Sequence, residues 1–166
     1  MRVLIDTCII LDVLQKREPF LQVATEVLKE VAIKKCYGLV TAKSITDIYY
    51  LLKRDIHDEK GVRSVIKALY SFFEVVDTLA IDCYNAAFSE MNDYEDAVMT
   101  ETGNRLNVDG IVTRNLRDYK LSCVKAFSPD EFLNYLSNAD DIIAHKTAMQ
   151  DYMSGETNSH NDIDWN

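Results

Sequence analysis

Four aspartates stand where predicted elements begin or end: Asp6 directly after Val3-Leu4-Ile5, Asp47 three residues after Ser44, Asp96 four after Asn92, and Asp118 in the stretch that follows Gly110-Ile111-Val112. Each has an ordinary use. Asp6 suits a turn at a strand end. Asp47 has capping-box spacing from Ser44. Asp96 suits the positive end of a helix that Asn92 caps, with Glu95 in the reciprocal position. Asp118 has the same spacing from Asn115. Gathered at one point, the four make a different chemistry. Buried like charges raise one another's pKa unless a cation lies among them. Donors that are all oxygen suit Mg²⁺ or Mn²⁺ rather than zinc, and such an ion activates a bound water and neutralises a phosphate under attack. Thr7, Ser44 and Thr113 adjoin these acids, with hydroxyls for a water, a phosphate oxygen or nearby backbone.

Only a suitable frame can bring the acids together. Val3–Ile5, Tyr37–Val40, Phe72–Val76 and Gly110–Val112 read as short strands, with Ser122–Val124 a candidate fifth. Helical spacing recurs over roughly 20–35, around Ile45–Leu52, Val62–Leu69 and Ile81–Met91, and from Asn92 to a stop at Gly103. Ser128-Pro129-Asp130-Glu131 opens another helix with a cap, a proline at the first position and a glutamate at the third. Short strands separated by one or two helices predict an α/β fold, three-layer α/β/α with a mostly parallel central sheet. Such sheets bind ligands beyond the carboxyl ends of their strands, which is where Asp6, the segment Ser44–Asp47 and the segment Thr113–Asp118 fall.

The chain has 27 acidic and 18 basic residues, a formal net charge of -9. The excess is uneven: residues 137–166 hold six acids against one lysine, a net of -5, leaving -4 on residues 1–136. The expected organisation is one domain over 1–136 and an acidic extension over 137–166 whose end is loose. No Cys or His spacing suits zinc, and Cys8, Cys36 and Cys123 lie beside apolar runs as buried free thiols. No stretch is apolar enough to span a membrane. Asp6 and Asp12 break the first apolar run, so no signal peptide is expected and the cytoplasm is the expected compartment.

The segments VLIDTC (3–8), ITDIYYLLKR (45–54), DYEDAV (93–98), IVTRNLRDY (111–119) and SPDEFL (128–133) resemble the PIN-domain nucleases, especially the bacterial branch of VapC-like toxin ribonucleases. The resemblance implies a Mg²⁺- or Mn²⁺-dependent endoribonuclease, with an RNA substrate, an antitoxin partner and a homodimer as expected associations. It assigns Asp6, Asp96 and Asp118 to the metal and Asp47 to the catalytic set beside them. Thr7, Ser44, Thr113 and Asn115 support the acids, while Lys43, Arg114, Arg117 and Lys120 are candidate phosphate contacts. Two positions depart from the family pattern: Asp47 where many members have Glu, and Cys8 where Asn is frequent. Tyr49, Tyr50 and Tyr119 have rings that can stack on bases, although their spacing favours packing. An RNA-processing or DNA-structure nuclease, or a non-catalytic binding module of the same fold, remains open, and a phosphatase is a more distant alternative.

Overall fold

A computed structural model describes residues 1–154. Its order is β1 (Arg2–Ile5), α1 (Thr7–Leu14), α2 (Leu21–Ala32), β2 (Tyr37–Thr41), α3 (Ala42–Asp55), α4 (Glu59–Phe72), β3 (Glu74–Val76), α5 (Ala80–Ala87), α6 (Tyr94–Arg105), β4 (Gly110–Val112), β5 (Ala126–Phe127) and α7 (Pro129–Ser154). The five strands form one all-parallel sheet in the order β3-β2-β1-β4-β5. Right-handed crossovers explain the layers. The steps β1→β2→β3 run one way and place α1 to α4 on one face, where α1 packs on α2 and α3, and α3 on α4. The return from β3 to β4 places α5 against α6 on the other.

Three strand residues of β1 are fully buried, with Leu4 paired to Leu39 on one side and Ile111 on the other. Leu4, Leu39, Val76, Met99, Ile111, Tyr119 and Val124 form a core cluster that holds the carboxyl ends of the central strands in place. Gly110 is required at its position, since an added Cβ would come within 2.5 Å of the Phe127 ring and 3.0 Å of the Lys125 carbonyl.

Several sequence expectations need correction. α1 starts directly after Asp6, although Thr7-Cys8-Ile9-Ile10 is rich in branched residues with weak helix propensity; burial of Ile9 and Ile10 overrides that preference. The fifth strand is Ala126–Phe127, not Ser122–Val124, because Ser122 instead makes a turn, its hydroxyl bonding both the amide and the carbonyl of Val124. Cys123 is accordingly exposed, whereas Cys36 is buried and Cys8 half-buried. Gly103 does not end α6, which runs to Arg105; its bare backbone lets the helix sit against Leu4. Ser128 and Glu131 do form the reciprocal cap at the start of α7.

The chain divides into a unit over Met1–Leu133, which holds the sheet, and a unit from Asn134 onward, which carries the rest of α7. The expected loose end of the acidic extension, 155–166, lies outside the described residues.

Candidate active site

The strand order reverses between β1 and β4, which send their chains toward opposite edges of the sheet. A crevice is expected at such a point, and Asp6 and Thr113, the residues immediately after these two strands, meet there. Pairing continues one residue past β1, as the Asp6 amide donates to the Val112 carbonyl at 3.0 Å. Thr113 is fully buried, and its Oγ1 donates to Asp6 Oδ2 at 2.6 Å. Asp6 is also the N-cap of α1, accepting from the Cys8 amide at 3.3 Å, and the Cys8 thiol lies 3.2 Å from Asp6 Oδ2. Burial first, and the Asp6 charge second, push the Cys8 thiol up to about 12. The thiol therefore stays protonated and acts as a donor to Asp6.

Asp96 reaches the same place from α6. The cap of that helix is Asp93, whose Oδ1 accepts from the amides of Glu95 and Asp96, and not Asn92. Asp96 thereby falls at the third helical position, where a side chain often turns back on the cap. Instead it accepts from the buried Tyr119 hydroxyl at 3.1 Å. Burial, then the Asp6 charge, raise the Asp96 pKa to about 6, against the lowering effect of the Tyr119 bond; Asp93 and Asp118 add to the rise. Sequence spacing assigned Tyr119 to packing, which it does, but only the structure shows its hydroxyl serving Asp96.

The cap of α3 is Thr41, not Ser44: Thr41 Oγ1 accepts from the Ser44 amide at 3.0 Å and lies 2.9 Å from Ser44 Oγ. Asp47 is therefore free of the capping role that its spacing suggested. It sits a turn above Lys43, whose Nζ donates to Asp47 Oδ2 at 2.6 Å and lies 3.4 Å from Glu95 Oε2. Burial by itself would lower the Lys43 pKa, but the Asp47 and Glu95 carboxylates reverse this and the net shift is upward. Glu95 is the acid that sequence reasoning had assigned to a cap.

Asp6, Thr7, Lys43, Ser44, Asp47, Glu95 and Asp96 line one cleft of about 120 Å³, room for several waters. Asp118 and Asn115 are outside that lining and bond to each other, the Asn115 amide group donating to Asp118 Oδ2. Asp118 is nonetheless near enough for its charge to act on Asp96. Arg114, expected at a phosphate, is turned away. Its Nε lies 2.9 Å from Asp12 Oδ2 and its guanidinium 4.0 Å from the centre of the Phe20 ring. Arg117 and Lys120 are exposed, as is Tyr50. Tyr49 lies under Lys53 and Arg63.

A family model described as PIN domain matches residues 2–117. The chain belongs to the PIN-domain family. Its fold resembles chains of solved VapBC and toxin–antitoxin complexes. A VapBC2 complex of Rickettsia felis bound to a promoter DNA fragment matches with TM-score 0.58 and 13% identity, over 77% of this chain and 98% of that one. A toxin–antitoxin complex of Klebsiella pneumoniae matches with TM-score 0.58 and 18% identity, over 76% and 97%. VapBC-1 of nontypeable Haemophilus influenzae matches with TM-score 0.59 and 11% identity, over 78% and 99%. At these identities the likeness is one of fold. No curated protein matches the chain.

PIN domains are typically metal-dependent, and the donors here fit a hard divalent ion in kind. Asp6 and Asp96 are carboxylates, each held by a hydroxyl, with a mutual repulsion that a cation would relieve. Among the described residues no three His, Cys, Asp or Glu side chains are gathered closely enough to hold a metal ion. The physical reason is visible for two of the acids: Asp47 is tied to Lys43, and Asp118 to Asn115.

Proposed function

We propose that this PIN domain is a Mg²⁺- or Mn²⁺-dependent endoribonuclease that hydrolyses RNA phosphodiester bonds, and that it acts in the cytoplasm as the toxin of a toxin–antitoxin pair. The observation that carries the reading is that Asp6 and Asp96 line one cleft at the switch point of the sheet, where burial first and the Asp6 charge second raise the Asp96 pKa. Asp6 and Asp96 would hold the ion, with Asp118 completing the set. When bound, the ion would supply an activated water and neutralise charge on the phosphate. The chain's own side chains do the rest. Thr113 and Tyr119 fix one oxygen of each anchoring carboxylate, which orients them as outer partners do at metal sites. Asp47, which lines the same cleft, would order the attacking water. Lys43 offers its charge to a phosphate entering the cleft, and Arg117 and Lys120 extend that contact along the strand.

In this reading the nuclease occupies residues 1–136, and 137–166 is an acidic extension to it. An antitoxin covering the cleft, and a homodimer, are the associations that the toxin reading brings. The assemblies in which similar folds occur support the first. Among the described residues no helix is long and apolar enough to cross a membrane.

RNA cleavage with Mn²⁺ or Mg²⁺ tests the proposal, with Asp6→Asn and Asp96→Asn as variants. Metal-dependent cleavage lost in both supports it. A second reading, a non-catalytic PIN module, is favoured by the ties that draw Asp47 and Asp118 aside. Its signature is a protein that neither cuts RNA nor binds a divalent ion. Metal binding without RNA cleavage would redirect the search to structured DNA.

A further inference from the structure

Asp12 is a buried carboxylate for which the proposed chemistry has no use. Its side chain has no exposed surface, and neither oxygen has an aligned hydrogen bond. Two guanidinium groups face it instead: Arg114 Nε at 2.9 Å from Oδ2, and Arg17 at 4.0 Å from Oδ1. Arg114 is held on its other side by Phe20, the residue before α2. A buried ion pair often contributes no more to stability than apolar residues of similar size, so stability alone gives little reason for its presence. What it does have is a particular address. Asp12 belongs to α1, the helix that Asp6 caps, and Arg114 directly follows Thr113, which holds Asp6.

We propose that Asp12 and Arg114 are a positioning pair for the candidate metal site. Two successive residues after β4 are tied to the two ends of one short segment, Thr113 to Asp6 and Arg114 to Asp12. The Thr113 amide on the Phe127 carbonyl and the Asn115 amide on Thr113 Oγ1 anchor the start of the loop, and the Arg114 contact adds a side-chain tie to α1 beyond the one that Thr113 makes to Asp6. Together they fix its direction, so that Thr113 Oγ1 faces Asp6 Oδ2 while the loop runs on through Asn115 to Asp118. Phe20 strengthens the second tie by offering a flat ring to a flat cation, a geometry that suits arginine better than lysine. The pair would thus act on a bound ion only through Asp6 and Asp118, without itself touching ion or substrate. The inference rests on the metal-dependent reading of the site.

The test compares the wild-type protein with Asp12→Asn, Arg114→Lys and Asp82→Asn by calorimetric Mn²⁺ titration and by urea unfolding. Asp82 is the control. It is another buried carboxylate with an arginine partner, Arg105, but it sits on α5 and lines no part of the cleft. Asp12→Asn is expected to weaken Mn²⁺ binding about tenfold or more, the range seen when outer partners of metal ligands are removed. Arg114→Lys is expected to cause a smaller loss of the same sign, and Asp82→Asn to lose stability with Mn²⁺ affinity unchanged. If Asp12→Asn does not fold, Arg114→Lys, which keeps the opposite charges, decides the matter. Folded variants at these two positions that bind Mn²⁺ like the wild type overturn the proposal and leave the pair a plain tether. A wild-type protein that binds no Mn²⁺ overturns the metal reading itself, a result distinguishable from the first.

Discussion

The Tyr119 hydroxyl offers a direct test of the electrostatics at Asp96. Tyr119→Phe removes one oxygen and keeps the ring, which is buried against Met99 and the strand core. The lost bond runs to Asp96 Oδ1 at 3.1 Å and favours the ionised carboxylate. Hydrogen bonds to charged groups contribute ~1.5–3 kcal/mol when buried. Asp96 stands in a half-open cleft, so the lower end is appropriate, and ~1.4 kcal/mol is one pKa unit. The carboxyl, at about 6 in the wild type, should therefore titrate about one unit higher in the variant. An NMR titration of the Asp96 side-chain carbon in metal-free buffer reads this directly, without any assumption about activity. Because a divalent ion and a proton compete for the same oxygens, Mn²⁺ affinity in the variant should also begin to fall at a higher pH as the solution is acidified. Superimposable titrations of the two proteins would refute the role of the Tyr119 hydroxyl in holding Asp96 ionised.

Other outcomes follow from the same geometry. Asp96→Asn should stabilise the metal-free protein at pH 8, by on the order of 1 kcal/mol after allowance for solvent screening. A carboxyl whose folded pKa lies above its unfolded value supports the fold at low pH and loses that support as pH rises through about 6, so the gain should vanish near pH 4; urea unfolding in EDTA checks it. Lys43→Gln releases Asp47 and Glu95 from their common cation. It should tighten Mn²⁺ binding severalfold in calorimetry while weakening RNA affinity in a filter-binding assay. Gly110→Ala forces a Cβ into the Phe127 ring and the Lys125 carbonyl and should cost about 1–3 kcal/mol in denaturant unfolding.

Much of the frame was legible because parallel strands buried on both faces read as short apolar runs, and four of the five did so. The fifth was misplaced by four residues, since Ser122-Cys123-Val124 and Ala126-Phe127 are both short and apolar, and only the turn around Ser122 separates them. α1 was missed for a related reason: eight residues are too few for helical periodicity to emerge from a continuous apolar run. The caps were misassigned by one to three positions, Thr41 for Ser44 and Asp93 for Asn92, because each neighbourhood offers more than one capping residue. Those small shifts matter at the site, as they decide which acids bind backbone and which face the cleft. The opposition of Asp12 and Arg114 joins residues a hundred positions apart, and no local pattern in a single sequence reports it.

The order in which the strands are made differs from the order in which they lie. β4 is the fourth strand synthesised, yet it fills the place beside β1, the first. A nascent chain that ends before residue 110 leaves β1 with one bare edge and Asp6 without Thr113. The aspartates at 6, 47 and 96 have all left the peptidyl transferase centre by then, but they have no common floor. Residues 110–127 supply it in a single passage, bringing β4, Thr113, Tyr119, Asp118 and β5. The cleft is thus completed only after residues 110–127 have been made.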